Sequence, residues 1–184
     1  MLDIQRTDLD GVLLLTPRRF GDGRGFFSEV YNQARFAAAG VDVTFVQDNH
    51  SRSASAGTVR ALHFQRPPFA QAKLVRVLRG AIVDVVVDLR PSSPTYLRHL
   101  AVELSAASWQ QMFVPAGFLH GFCTLEPDTE VFYKVDAYYS AAHDGGVRWN
   151  DPALGIDWPV RPEAAVLSDK DRALPLLKDI GDIF

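Results

Sequence analysis

The chain has 184 residues, 47% of them hydrophobic and 22% charged, with a formal net charge of −3. These values describe one globular domain large enough to bury a core. No apolar run approaches the ~20 residues of a membrane-spanning helix, and no Lys/Arg-rich run with interleaved aromatics marks a nucleic-acid surface. Cys123 is the single cysteine, which excludes an intrachain disulfide; with no basic signal-like start, it points to a reducing cytoplasm.

Short runs rich in β-branched and aromatic residues predict strands at Val12–Thr16, Gly25–Tyr31, Lys73–Leu78, Ala81–Leu89, His99–Leu104, Gln111–Val114, Gly121–Leu125 and Glu130–Val135. Gln47–Lys73 is a further strand-rich run, broken by Pro67-Pro68. One helix is predicted at Gln33–Ala39, capped by Asn32 and stopped by Gly40. Arg79-Gly80 suggests a tight hairpin between two strands. From Asp151 the tail is loop-like, with one turn near Asp169–Ala173. Many short strands punctuated by Gly and Pro predict an all-β jelly-roll barrel or sandwich with a few short helices, as a single domain over residues 1–184.

Period-two alternation then places side chains. Tyr133 shares a face with Val131 and Val135, and Lys73 shares one with Val75 and Val77, so both are directed into the apolar interior. A polar group there needs a partner or a purpose. The same parity puts Arg60 and His63 on opposite faces of their strand unless a bulge intervenes.

Residues 1–100 carry 13 Lys/Arg against 9 Asp/Glu, and residues 101–184 carry 6 against 13. The basic half suits an anionic ligand. Arg60, His63 and Lys73 lie in it together: a fixed positive charge, a titratable imidazole and an ammonium. That set can hold an anion, take a proton and stabilise the resulting negative charge. A lone His63 would read as a core histidine bonded to a carbonyl; beside Arg60, Lys73, His120 and Tyr133 it reads as a general base. Metal binding is the obvious rival. Pro115–His120 (PAGFLH) fits the PxGxxH motif of cupin barrels, but the companion HxH motif is missing, because His63 is followed two residues later by Gln65. A borderline metal wants three or four N, S or carboxylate ligands, so a metal-free site is expected. Arg24, flanked by Gly23 and Gly25, reads either as an exposed turn arginine or as a fork for phosphate. The acidic run Asp169–Asp171 by itself is a solvated turn.

Together these segments resemble the dTDP-4-dehydrorhamnose 3,5-epimerase family of cupin-type nucleotide-sugar epimerases. The matching pieces include RGFFSEVYN (24–32), VQDNHSRS (46–53), GTVRALHFQRPP (57–68), VPAGFLHGF (114–122), TEVFYKVDAYYS (129–140) and LSDKD (167–171). The resemblance implies that His63 is the catalytic base oriented by Asp171, that Tyr133 is the opposing acid, and that Lys73 stabilises an enolate. It implies that Arg24 and Arg60 hold a diphosphate. Glu29, Gln47, Asp48, Asn49, His120 and Lys170 would complete the pocket, with Tyr138 stacking on the ligand. Two positions depart from the family pattern. Ala61 stands where glycine is usual, which would strain a positive φ. Asp144 stands where a longer glutamate is usual, still within the substrate pocket.

The implied reaction inverts carbons 3 and 5 of dTDP-4-keto-6-deoxyglucose without a cofactor, giving dTDP-4-keto-L-rhamnose. The family also implies a homodimer, with an N-terminal strand completing the partner's sheet. Three alternatives stay open at this level: a single-centre epimerase, a 3,4-ketoisomerase of a related deoxysugar, and a non-catalytic sugar-nucleotide binder.

Overall fold

The computed structural model describes residues 2–181 and 183–184. Its strands are β1 (Leu2–Arg6), β2 (Leu13–Pro17), β3 (Phe20–Asp22), β4 (Gly25–Phe27), β5 (Gln47–Ser53), β6 (Val59–Gln65), β7 (Lys73–Arg79), β8 (Ala81–Asp88), β9 (His99–Ser105), β10 (Gln111–Val114), β11 (Phe118–Thr124), β12 (Thr129–Val135) and β13 (Asp144–Gly146). Helix α1 (Gln33–Ala38) precedes β5, and α2 (Asp169–Arg172) lies in the tail. The strands form an antiparallel six-stranded sheet, β1-β2-β10-β7-β12-β5, and a five-stranded one, β13-β6-β11-β8-β9; β3 and β4 pair apart from both.

Three apolar layers explain the sequence pattern. Leu14, Val75, Val77, Met112 and Val131 of the larger sheet pack against Ile82, Val86, Phe118 and Phe122 of the smaller. The outer face of the smaller sheet, with Val59, Leu62, Val85 and Leu119, is covered by Val147, Trp149, Leu154 and Trp158. Leu13, Leu15, Leu74 and Phe113 cover the other side with Phe36 and Val41. Strand β8 is therefore buried on both faces, which is why it reads AIVDVVVD rather than alternating. Each such side chain taken from water stabilises the fold by about 1.5–3 kcal/mol.

The all-β reading holds, and α1 is capped as expected, with Asn32 Oδ1 accepting from the Arg35 N–H at 3.2 Å. Several expectations change. Arg79-Gly80 is no hairpin: β7 and β8 belong to different sheets, and the chain turns the corner at Gly80 with φ +75°. A Cβ there would sit 2.4 Å from Thr129 Oγ1, so glycine is required by space as well as by conformation. The strand predicted over 25–31 ends at Phe27, and the one predicted from Gly121 begins at Phe118. β1 pairs with β2 of its own chain and forms a sheet edge. The conflict between Arg60 and His63 is settled by a bulge. His120 pairs with His63 and Phe122 with Arg60, so two steps on β11 match three on β6, and both side chains reach the same cavity. Ala61 has no positive φ, so the anticipated strain is absent. Instead it meets Gly121, where an added Cβ would lie 2.3 Å from the Ala61 Cβ.

Candidate active site

Between the sheets lies a cleft of two lobes, of about 250 and 210 Å³, which share His63, Lys73, Tyr133 and Lys170. Ser51, Arg60, His120, Phe122 and Asp171 line the first lobe, while Gln47, Asn49, Gln71, Tyr139 and Asp144 line the second. Strand parity delivers Tyr133 and Lys73 inward, as anticipated from sequence, and β5 presents Gln47, Asn49 and Ser51 on its less exposed face.

His63 Nε2 lies 2.5 Å from Asp171 Oδ1. Ser168 caps α2 by accepting from the Asp171 N–H at 3.1 Å, and its hydroxyl donates to Asp171 Oδ2 at 2.9 Å. Burial pushes the Asp171 pKa up, but the His63 hydrogen bond and charge, Ser168 and Lys170 outweigh it and hold the carboxyl below its usual value. An ionised carboxylate accepts only, so Nε2 carries the proton and Nδ1 is the basic nitrogen.

A second histidine is held the other way round. His120 Nε2 donates to Asp84 Oδ1 at 2.6 Å, and its Nδ1 lies 3.3 Å from Lys73 Nζ. Burial lowers the His120 pKa against the pull of Asp84, which keeps the ring neutral. Burial also lowers Lys73, to about 8, opposed by the charges of Asp84 and Asp144. Tyr133 is raised by burial, partly offset by Arg60, so its phenol stays a proton donor at neutral pH. Arg60 is steadied by Ser53 Oγ and the Arg52 carbonyl, both at 3.3 Å, leaving donors free for an anion. Lys170 pairs with Asp144, which also accepts from the Tyr139 hydroxyl at 3.2 Å.

Four residues singled out from sequence lie elsewhere in this chain. Arg24 is 90% exposed in its side chain and pairs with Asp22 at 2.6 Å. Glu29 pairs with Arg35, Asp48 points outward to Lys134, and Tyr138 is 65% exposed outside the cleft lining. Conversely, sequence reasoning missed Asp84, Ser168, Gln71 and Tyr139. For Asp84 there was a signal: an acid inside an apolar run must find a partner. Among the described residues no group of three or more His, Cys, Asp or Glu could hold a metal ion.

This is a double-sheet β barrel whose cleft carries a histidine–aspartate pair, a tyrosine and a lysine, the apparatus of proton transfer. A family model described as dTDP-4-dehydrorhamnose 3,5-epimerase matches residues 6–179. A Sinorhizobium fredii protein named dTDP-4-dehydrorhamnose 3,5-epimerase is 53% identical, covering 96% of this chain and 90% of its own. The crystal structure of the Bacillus anthracis enzyme of that name, with TDP and PPi bound, is 55% identical with a TM-score of 0.93, over 96% of this chain and all of that one. A Legionella pneumophila epimerase in complex with dTDP-4-keto-L-rhamnose is 40% identical with a TM-score of 0.92, covering 98% and 95%. The chain belongs to the dTDP-4-dehydrorhamnose 3,5-epimerase family, isomerases with a cupin-type fold.

Proposed function

We propose that this chain inverts carbons 3 and 5 of dTDP-4-keto-6-deoxyglucose to give dTDP-4-keto-L-rhamnose, and that its own residues carry the reaction. The observation that supports this best is the His63–Asp171 pair sharing one cleft with the Tyr133 phenol and the Lys73 ammonium. The 4-keto group acidifies the protons on both neighbouring carbons. His63 removes one, the C–H electron pair delocalises onto the keto oxygen, and Lys73 stabilises that enolate. Tyr133 then gives a proton to the other face of the carbon, inverting it. A positioned acid or base supplies ~10²–10⁴-fold each, and an oxyanion donor about 3 kcal/mol. Arg60 in the same lobe takes the diphosphate. A binder without chemistry would have no use for the His63–Asp171 pair.

The test is proton NMR of the 4-keto sugar nucleotide incubated with the protein in D₂O. Deuterium at carbons 3 and 5, with inversion at each, is the expected result. Label and inversion at one carbon would instead mean a single-centre epimerase, and a product with its carbonyl at carbon 3 a ketoisomerase.

The family resemblance also supports a cytoplasmic homodimer. Phe20, Phe26 and Phe27 are more than half exposed around Arg24, away from this chain's own cleft. Such an apolar hairpin suits burial against a second copy, with Arg24 and Glu29 serving the partner's cleft. Sedimentation at micromolar concentration should show the dimer, and a monomer with full activity would refute that role for Arg24 and Glu29.

A further inference from the structure

Gln65 stands where a metal-binding barrel of this type carries a second histidine, two residues after His63. It is 5% exposed, and its amide is engaged at both ends. The amide nitrogen donates to the Phe69 carbonyl at 2.8 Å and the Tyr138 carbonyl at 3.2 Å; the amide oxygen accepts from the Ser140 N–H at 2.6 Å. Two other glutamines act on the same segment. Gln71 donates to the Ala137 carbonyl at 2.7 Å, and Gln47 accepts from the Tyr139 N–H at 3.3 Å.

Residues 137–140 belong to no helix or strand, yet each has a backbone group held by a glutamine side chain from β5, β6 or the turn before β7. The segment carries Tyr139, which lines the second lobe and bonds Asp144. Ser140 continues the brace, with its carbonyl accepting from the Asp144 N–H at 2.9 Å and its hydroxyl 2.8 Å from His143 Nδ1. Irregular backbone beside a cleft normally fluctuates; tying every residue of it to the sheets removes that freedom before a ligand arrives, which lowers the ordering cost of binding.

We propose that Gln65 is a positioning residue for substrate: it holds residues 137–140 as the wall of the second lobe, against which the bound nucleotide sugar rests. The role rests on the epimerase reading above. It predicts an effect on binding and little on chemistry: Gln65 lines the second lobe, but its amide hydrogen bonds go to Phe69, Tyr138 and Ser140 and not to His63, Tyr133, Lys73 or Asp171.

Gln65→Glu removes both donors and sets a carboxylate against two carbonyls. Steady-state kinetics should then show KM for the 4-keto sugar nucleotide raised about tenfold, as loss of a buried hydrogen bond implies, with kcat within about threefold. In a Tyr139→Ala background the same substitution should add little, since the wall is already gone. Should Gln65→Glu fail to fold, Gln71→Leu removes one anchor alone and should raise KM about threefold. An unchanged KM in the folded variants, or a loss confined to kcat, overturns the proposal. A wild type that binds substrate without turnover would instead refute the epimerase reading.

Discussion

Lys73 and Asp84 address opposite nitrogens of one ring, 3.3 Å and 2.6 Å from Nδ1 and Nε2 of His120. Since a carboxylate can only accept, Nε2 carries the proton and Nδ1 receives the Lys73 ammonium. Asp84 is fully buried, and its Oδ2 finds no hydrogen-bond partner among the described residues. Such a group is costly for stability, and its charge favours the protonated form of Lys73. Asp84→Asn preserves an acceptor but removes the charge, which with Asp144 supports the protonated amine. Lys73 then loses its proton at lower pH, and the alkaline fall in kcat/KM should move toward neutrality. A pH–rate profile whose alkaline limb stays in place would mean that Asp84 acts through shape alone.

Activity and stability should respond oppositely to Lys73. Its pKa in the fold is about 8, against 10.5 for a free lysine. Below pH 8 the fold must hold a buried ammonium. Between about 8 and 10 the unfolded chain binds a proton that the folded one lacks, so this group alone makes the fold gain stability as pH rises. On the proposed mechanism catalysis needs the ammonium and should decline over the same range. Lys73→Met should therefore lower turnover at least ~10²-fold while raising Tm by about 2–4 °C. Thermal melts beside turnover assays decide it; a lower Tm in the folded variant would remove the claim of burial cost.

Sequence legibility followed regularity. Lys73 and Tyr133 sit where β7 and β12 pair in regular register, 73–77 against 131–135, so period two fixes the inward face, and both line the cleft. Arg60 and His63 could not be placed because the bulge in β6 shifts the parity between them, and a bulge leaves no mark in residue type. Asp84 gave only half a signal: an acid in an apolar run must find a partner, but β8 is buried on both faces, so parity does not say on which side that partner lies. Arg79-Gly80 shows the limit of turn chemistry. Glycine marks the corner correctly, yet a hairpin and a crossing between sheets ask the same of it locally. The link from His63 to Asp171 spans 108 residues, and it was the family resemblance, not spacing, that paired them.

Arg60→Ala separates binding from chemistry. The guanidinium lines the first lobe and, among the described residues, bonds only Ser53 and the Arg52 carbonyl. Its loss should raise KM strongly, about tenfold or more for a charge-assisted contact, with a smaller change in kcat. Saturation kinetics would show it, and an unchanged KM would exclude Arg60 from the diphosphate.

Removing the acid but not the base should uncouple exchange from inversion. In Tyr133→Phe the His63–Asp171 pair is untouched, so proton abstraction continues and His63 returns a solvent-derived proton to the face it came from. Substrate recovered from D₂O should carry deuterium with its original configuration, while inverted product falls ~10²-fold or more. Burial keeps the wild-type phenol protonated at neutral pH, so the variant loses a donor and not a charge. Equal rates of product formation in variant and wild type would reassign the acid, with the Lys73 ammonium next in line because it shares both lobes with His63.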